Sequence, residues 1–180
     1  MIFTYNEAVT KYGSEYKLKK AVSEGVVFKQ EEGIYSTRKR EPEVGIIMKK
    51  YPKAVLTGEY AFYKHGLTNL LPDKYDLATP SKSAKLKDDR IRQVYVNEDI
   101  FDYGIEEIED NGVAIRIYDK ERMLIELLRG KNGMPYDLYK EILMHYREDI
   151  NDLEIWRRQE YAAFFPKSKM ISKALDEEVL

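Results

Sequence analysis

The sequence contains no cysteine. That excludes disulfides, thiolate nucleophiles and cysteine-ligated zinc, and it fits a reducing, cytoplasmic setting. Only two histidines are present, His65 and His145, far apart and without the carboxylate spacing of a metal site. No apolar run is long enough to cross a bilayer, so no membrane partner is expected. The first residues hold neither a basic n-region nor an apolar h-region, which argues against a secretory signal. A Walker loop, Gly-x-Gly-x-x-Gly and Gly-x-Ser-x-Gly are all missing. Gly13-Ser14 matches only the opening of nucleotidyltransferase motifs, because no closely spaced aspartates follow. Carboxylates are abundant, yet no acid/base pair can be singled out among them. The expectation is a protein that is not an enzyme and needs no cofactor.

What is there describes a folded chain. Its 180 residues are 43% hydrophobic and 34% charged, enough for one large domain or two small ones with a real core. Fifteen tyrosines, with Trp156, Phe164 and Phe165, read as core and interface anchors. The formal net charge is only −2, but the charge is uneven. Residues 1–53 hold eleven Lys/Arg against seven Asp/Glu, whereas Glu98 to Asp110 holds seven acids and no base. Such asymmetry suits a basic binding module joined to an acidic domain, and equally suits an ordinary scatter of surface charge.

The first forty residues carry the clearest local signals. Thr4 and Glu7 have capping-box spacing, Ala8, Val9 and Tyr12 share a helical stripe, and Gly13 stops the helix. Ser14 then caps a second helix that runs to Glu24 and ends at Gly25. Its Leu18, Ala21 and Val22 fall on one face, with Tyr16, Lys19, Lys20 and Ser23 on the other. Val26–Gln30 and Ile34–Ser36 read as strands joined by a turn at Glu31-Glu32-Gly33. Helix, turn, helix and hairpin is the order of a winged helix. In that arrangement the second helix enters the major groove. Ser14, Tyr16, Lys17, Lys19, Lys20 and Ser23, with Lys29, Arg38, Lys39 and Arg40 beside the hairpin, are the candidate DNA contacts. A small helical hairpin with merely solvated lysines is the other reading these residues allow.

Arg38 to Glu43, with Pro42, is the expected linker, dividing a domain 1–40 from a domain 41–180. The second domain is expected to be mixed. Helices are placed at 44–51 and 59–65, strands at 54–56, 75–78 and 93–96, and a hairpin 105–118 turns at Asp110-Asn111-Gly112. Asp119 caps a helix ending at Gly130, and further helices follow at 136–146, 152–164 and 166–178, the last with Pro166 in its first turn. The fold class is therefore α+β: an N-terminal winged helix-turn-helix, then a mixed α/β domain with a helical C-terminus. Lys82, Lys85, Lys87, Arg90 and Arg92 form a possible second basic surface in a loop. The acidic stretch reads as the exposed face of the hairpin, or as a surface for a basic partner. His65 reads as a cation at a helix C-terminus and His145 as a surface residue.

In order along the chain, these segments resemble AbiEi-family antitoxins of type IV toxin–antitoxin systems. The similarity runs through Tyr12-Gly13-Ser14, Leu18–Val22, Gly25 and Gly33–Ser36. It continues in Tyr51-Pro52, Val55–Gly58, Tyr60–Thr68, Pro72, Tyr75–Pro80 and Asp119–Arg129. The resemblance implies a repressor that binds operator DNA with inverted repeats in its own promoter and takes part in abortive phage infection. Its functional partner would be a nucleotidyltransferase-like toxin, counteracted without a stable complex. Glu31 and Glu32 depart from what a wing tip on phosphate would carry. The alternative function is an interaction protein that neutralises a toxin by contact, through the acidic strip or the C-terminal helices.

Overall fold

The computed structural model describes residues 1–149, 153 and 155–179 and shows two compact units. One comprises Met1–Ala54 with Glu107–Arg116, the other Val55–Glu106 with Ile117–Leu180. Helices and strands are mixed in both, an α+β architecture.

In the first unit, β1 (Ile2–Thr4) leads directly into α1 (Tyr5–Tyr12). Thr4 Oγ1 accepts from the Glu7 amide and the Glu7 carboxylate accepts from the Thr4 amide, the reciprocal cap expected from the spacing. Gly13, at φ 87°, ends α1 in the left-handed conformation that a side chain would resist. Next come α2 (Glu15–Ser23), β2 (Phe28–Glu31) and β3 (Ile34–Ser36). The strands form an antiparallel sheet in the order β1-β3-β2. β2 begins two residues later than the pattern suggests, because the amides of Val26 and Val27 both bond the Ala21 carbonyl and close the end of α2. Phe3, Ala8, Leu18, Ala21 and Val27 make the core here.

This unit does not end at residue 40. The segment expected as a linker is tied to the hairpin: Ser36 Oγ donates to the buried Glu41 carboxylate, and Gln30 bonds both the Arg38 carbonyl and the Glu41 amide. Pro42 then starts α3 (Glu43–Lys50), which buries Val44, Ile46, Ile47 and Met48. A Cβ on Gly45 would lie 3.0 Å from the Val113 methyls and 3.1 Å from Ile2, so glycine lets the tip of a later hairpin close on α3. Residues 107–116 are thus part of this unit although they follow it by some fifty positions.

The second unit contains β4 (Val55–Leu56), α4 (Gly58–Lys64), β5 (Tyr75–Pro80), β6 (Ile91–Val96) and the short α5 (Glu98–Phe101). The hairpin of β7 (Ile105–Asp110) and β8 (Val113–Tyr118) turns at Asn111 and Gly112, both at positive φ, as Asn-Gly predicts. The sheet order is β6-β5-β4-β8-β7. Asp119 caps α6 (Lys120–Gly130) by accepting from the Arg122 amide. α7 (Tyr136–Glu148), α8 (Ile155–Phe164) and α9 (Ser168–Ala174) complete the helical C-terminus, with a π-helical turn at Leu175–Val179. Pro166 is not in the first turn of α9; Lys167, at φ 68°, separates the two. The expected helix start at Asp152 and the side chain of Trp156 lie outside the described residues. Leu56, Leu77, Ile117, Met123, Leu124 and Ile142 are all fully buried in this core.

Candidate nucleic-acid interface

α2 is held from one side only. Leu18 and Ala21 are buried and Val22 packs on the same cluster, so the opposite face has to meet solvent. Tyr16 is 77% exposed, and Lys17, Lys19, Lys20 and Ser23 are exposed beside it. Ser14 Oγ accepts from the Lys17 amide at 3.2 Å, which fixes the helix start. Two of these side chains are partly committed to the helix itself. Ser14 serves as its cap, and Ser23 Oγ donates back to the Lys20 carbonyl at 2.7 Å.

Lys19 pairs with Glu15 at 2.7 Å and Lys20 with Glu24 at 3.7 Å, each one turn away. The Glu15 carboxylate holds the Lys19 ammonium above its ordinary pKa, and Lys19 holds Glu15 below its own. Both pairs are solvated, so exchanging a carboxylate for a phosphate oxygen needs no burial of charge. Lys29 on β2 is exposed as well, and Tyr5, Lys19, Val22, Lys29 and Tyr35 border a shallow cavity of about 260 Å³ between α2 and the sheet. Tyr5 and Tyr35, whose rings lie 6.4 Å apart, are not among the sequence candidates. Their only signal is aromatic residues on elements flanking a basic helix.

At the hairpin turn the two acids have different fates. Glu31 pairs with Lys50 of α3 at 3.2 Å, whereas Glu32 is exposed beside Gly33, at φ 76°. Lys50 and Lys49, the latter paired with Glu7 at 2.8 Å, belong to this charge arrangement and escape sequence reasoning because they follow the expected linker. The three bases after β3 are all exposed, but Arg38 is engaged within the chain, donating to the Asn111 carbonyl at 2.9 Å and pairing with Glu41 at 3.7 Å.

The loop before β6 is less basic in effect than in composition. Arg92 clasps the buried Asp76 carboxylate and reaches Glu59 at 3.1 Å. Asp76 lies opposite Arg92 in the β5–β6 register, and these contacts hold the guanidinium above its ordinary pKa. Arg90 forms a fork with Asp88 at 2.6 and 2.8 Å, and Lys82 bonds Glu98 at 2.9 Å. Lys85 and Lys87 are exposed. Counting charges along the chain overlooks such partners across strands.

Neither histidine sits in a metal or acid/base constellation. Among the described residues no three His, Cys, Asp or Glu side chains could hold a metal ion together. His65 does occupy the C-cap of α4, as expected, but not as a cation. Burial lowers its pKa, and the bond that Nε2–H donates to the Tyr118 carbonyl at 2.6 Å works the other way without reversing that shift. His145 is half-buried, with Nδ1 bonding the Glu141 carbonyl at 3.0 Å. Nor is the acidic stretch all hairpin: Glu98 and Asp99 open α5, which Asn97 caps, while Glu107 and Glu109 are exposed on β7. Among the described residues, no helix is long and apolar enough to cross a membrane. No protein-family model matches the chain, and no curated protein is similar to it in sequence.

Proposed function

We propose that the first unit is a winged-helix DNA-binding module and that the chain is an antitoxin of the AbiEi type, acting in the cytoplasm. It would repress its own operon by occupying inverted repeats and counteract a nucleotidyltransferase-like toxin. The observation that carries this reading is α2: a capped helix, anchored by Leu18 and Ala21, that turns Tyr16, Lys17, Lys19 and Lys20 to solvent. The sequence of helix, left-handed glycine, helix and hairpin, with β1 completing the sheet, supports it. α2 would read the groove, while Lys29, Lys39 and Arg40 would hold phosphates on either side. The pairing of Glu31 with Lys50 removes part of the repulsion that two acids at the turn would bring. Antitoxicity is assigned to the chain by resemblance, with no residue named for it.

The test is a gel-shift titration on the chain's own upstream promoter against scrambled DNA at two salt concentrations. A specific shift is expected, with log affinity falling by roughly 0.9 per phosphate contact for each decade of salt. Lys19→Glu/Lys20→Glu should abolish it while leaving the circular dichroism spectrum unchanged, since both lysines are exposed. Absence of a specific shift from the folded wild type would overturn the repressor reading. Toxin neutralisation that survives without DNA binding would favour the contact mechanism instead.

A further inference from the structure

β6 is an edge of the five-stranded sheet and pairs only with β5 among the described strands. Natural edge strands are usually blunted by lysine, proline, a bulge or a covering segment. β6, six residues long with a continuous register on β5, has no lysine or proline, and its one charged residue, Arg92, is drawn to Asp76 and Glu59 of its own chain. Instead it exposes Val94 (37%) and Tyr95 (51%).

We infer that the outer edge of β6 pairs antiparallel with β6 of a second copy of this chain, about a twofold axis at Val94. The partner follows from self-complementarity. A twofold perpendicular to the sheet keeps each face on its own side, so Val94 meets Val94, Gln93 meets Tyr95 and Arg92 meets Val96 of the other copy. Within the strand no like charges face each other in this register. Beyond the strand, Arg90 comes opposite the other copy's Glu98 but Asp89 comes opposite its Asp99, and Arg90 and Glu98 already pair with Asp88 and Lys82, so the ends add no charge preference and the register rests on the strand itself. On one face, Val94 and Val96 border an apolar cavity of about 400 Å³ with Phe62, Met123 and Leu127, which beds the second valine. On the other, the Gln93 amide is held by Thr79, the Ala84 carbonyl and the Leu86 amide of its own chain and accepts from Tyr95 at 3.3 Å, so it is Tyr95 that is left to meet the second copy.

This pairing involves the second unit alone and does not rest on DNA binding. If the first unit does bind operator DNA, each dimer brings two such modules.

The absence of cysteine makes the test clean. Directly opposed residues in an antiparallel pair have Cα atoms about 4.5–5.5 Å apart, within the range a disulfide spans. Full-length Val94→Cys should therefore cross-link to a dimer under mild oxidation, while Val26→Cys, 54% exposed on the first unit, stays a single chain. Light scattering on the wild type should approach the mass of two chains as concentration rises through the micromolar range. Val94→Lys should weaken that association by about tenfold or more, with secondary structure intact, because it sets two ammonium groups at the axis. A wild type that keeps the mass of one chain throughout overturns the inference. So does Val94→Cys that cross-links no faster than Val26→Cys, or a Val94→Lys protein that still dimerises.

Discussion

His65 illustrates what a single residue can and cannot tell before its surroundings are known. Its place before Gly66 announces a helix end, and the C-cap of α4 is where it lies. Its charge state depends on burial beside Tyr118, some fifty residues further on, which local spacing does not encode. Burial lowers its pKa in the folded protein below the unfolded value of about 6.5. The unfolded chain therefore takes up the proton first, and the stability from neutral His65 is present above that value and lost as pH falls through the native pKa. Denaturant midpoints measured between neutral pH and mildly acid pH should show this loss. His65→Gln, which keeps an N–H donor without a titrating ring, should flatten that part of the profile. Arg92 teaches the same lesson with the opposite outcome: its position in a basic loop suggests phosphate, yet Asp76 on the neighbouring strand holds it.

Caps and turns are the elements whose signals are local, and they are legible: the Thr4/Glu7 box, Ser14, Gly25, Asn111-Gly112 and Asp119 all act as their spacing suggests. β1 is not, because three residues make a strand only by pairing with Ile34–Ser36. α9 begins later than Pro166 suggests; Phe165 just before it is buried, its ring 4.0 Å from the Arg122 guanidinium and 5.2 Å from that of Arg129. Two glycines at positive φ separate backbone strain from collision. Gly25, at φ 72°, has nothing within 4 Å of the place an added methyl would take, so Gly25→Ala should cost only the left-handed backbone term, about 1–2 kcal/mol. Gly58, at φ 57°, starts α4 against the Asp76 carboxylate, which a Cβ would strike. Gly58→Ala should therefore destabilise the protein by clearly more than Gly25→Ala in urea unfolding, since it also displaces the acceptor of Arg92 and of the Glu59 amide.

At the scale of the molecule, an α+β composition can be read from the pattern of elements, but the membership of the units cannot. The charged, proline-containing stretch after Arg38 has the composition of a linker and is bound down by Gln30, Ser36 and Glu41. Nor does any local pattern reveal that residues 107–116 belong with residues 1–54. Arg38 bonds Asn111, Arg116 bonds the Pro52 carbonyl at 3.2 Å, and Val113 packs on Gly45. A fragment ending at residue 54 should accordingly unfold at lower denaturant than the same unit in the whole chain, with a broad transition. Unfolding of the fragment as sharp and as late as in the whole protein would show that the hairpin tip adds nothing.

The discontinuous first unit has a temporal consequence. During synthesis its helices and small sheet leave the ribosome early, but the hairpin tip that covers Gly45 and engages Arg38 is made only after three strands and two helices of the other unit. A nascent chain halted before residue 116 lacks part of this unit, so prematurely terminated products would be poor competitors for whatever the complete unit binds.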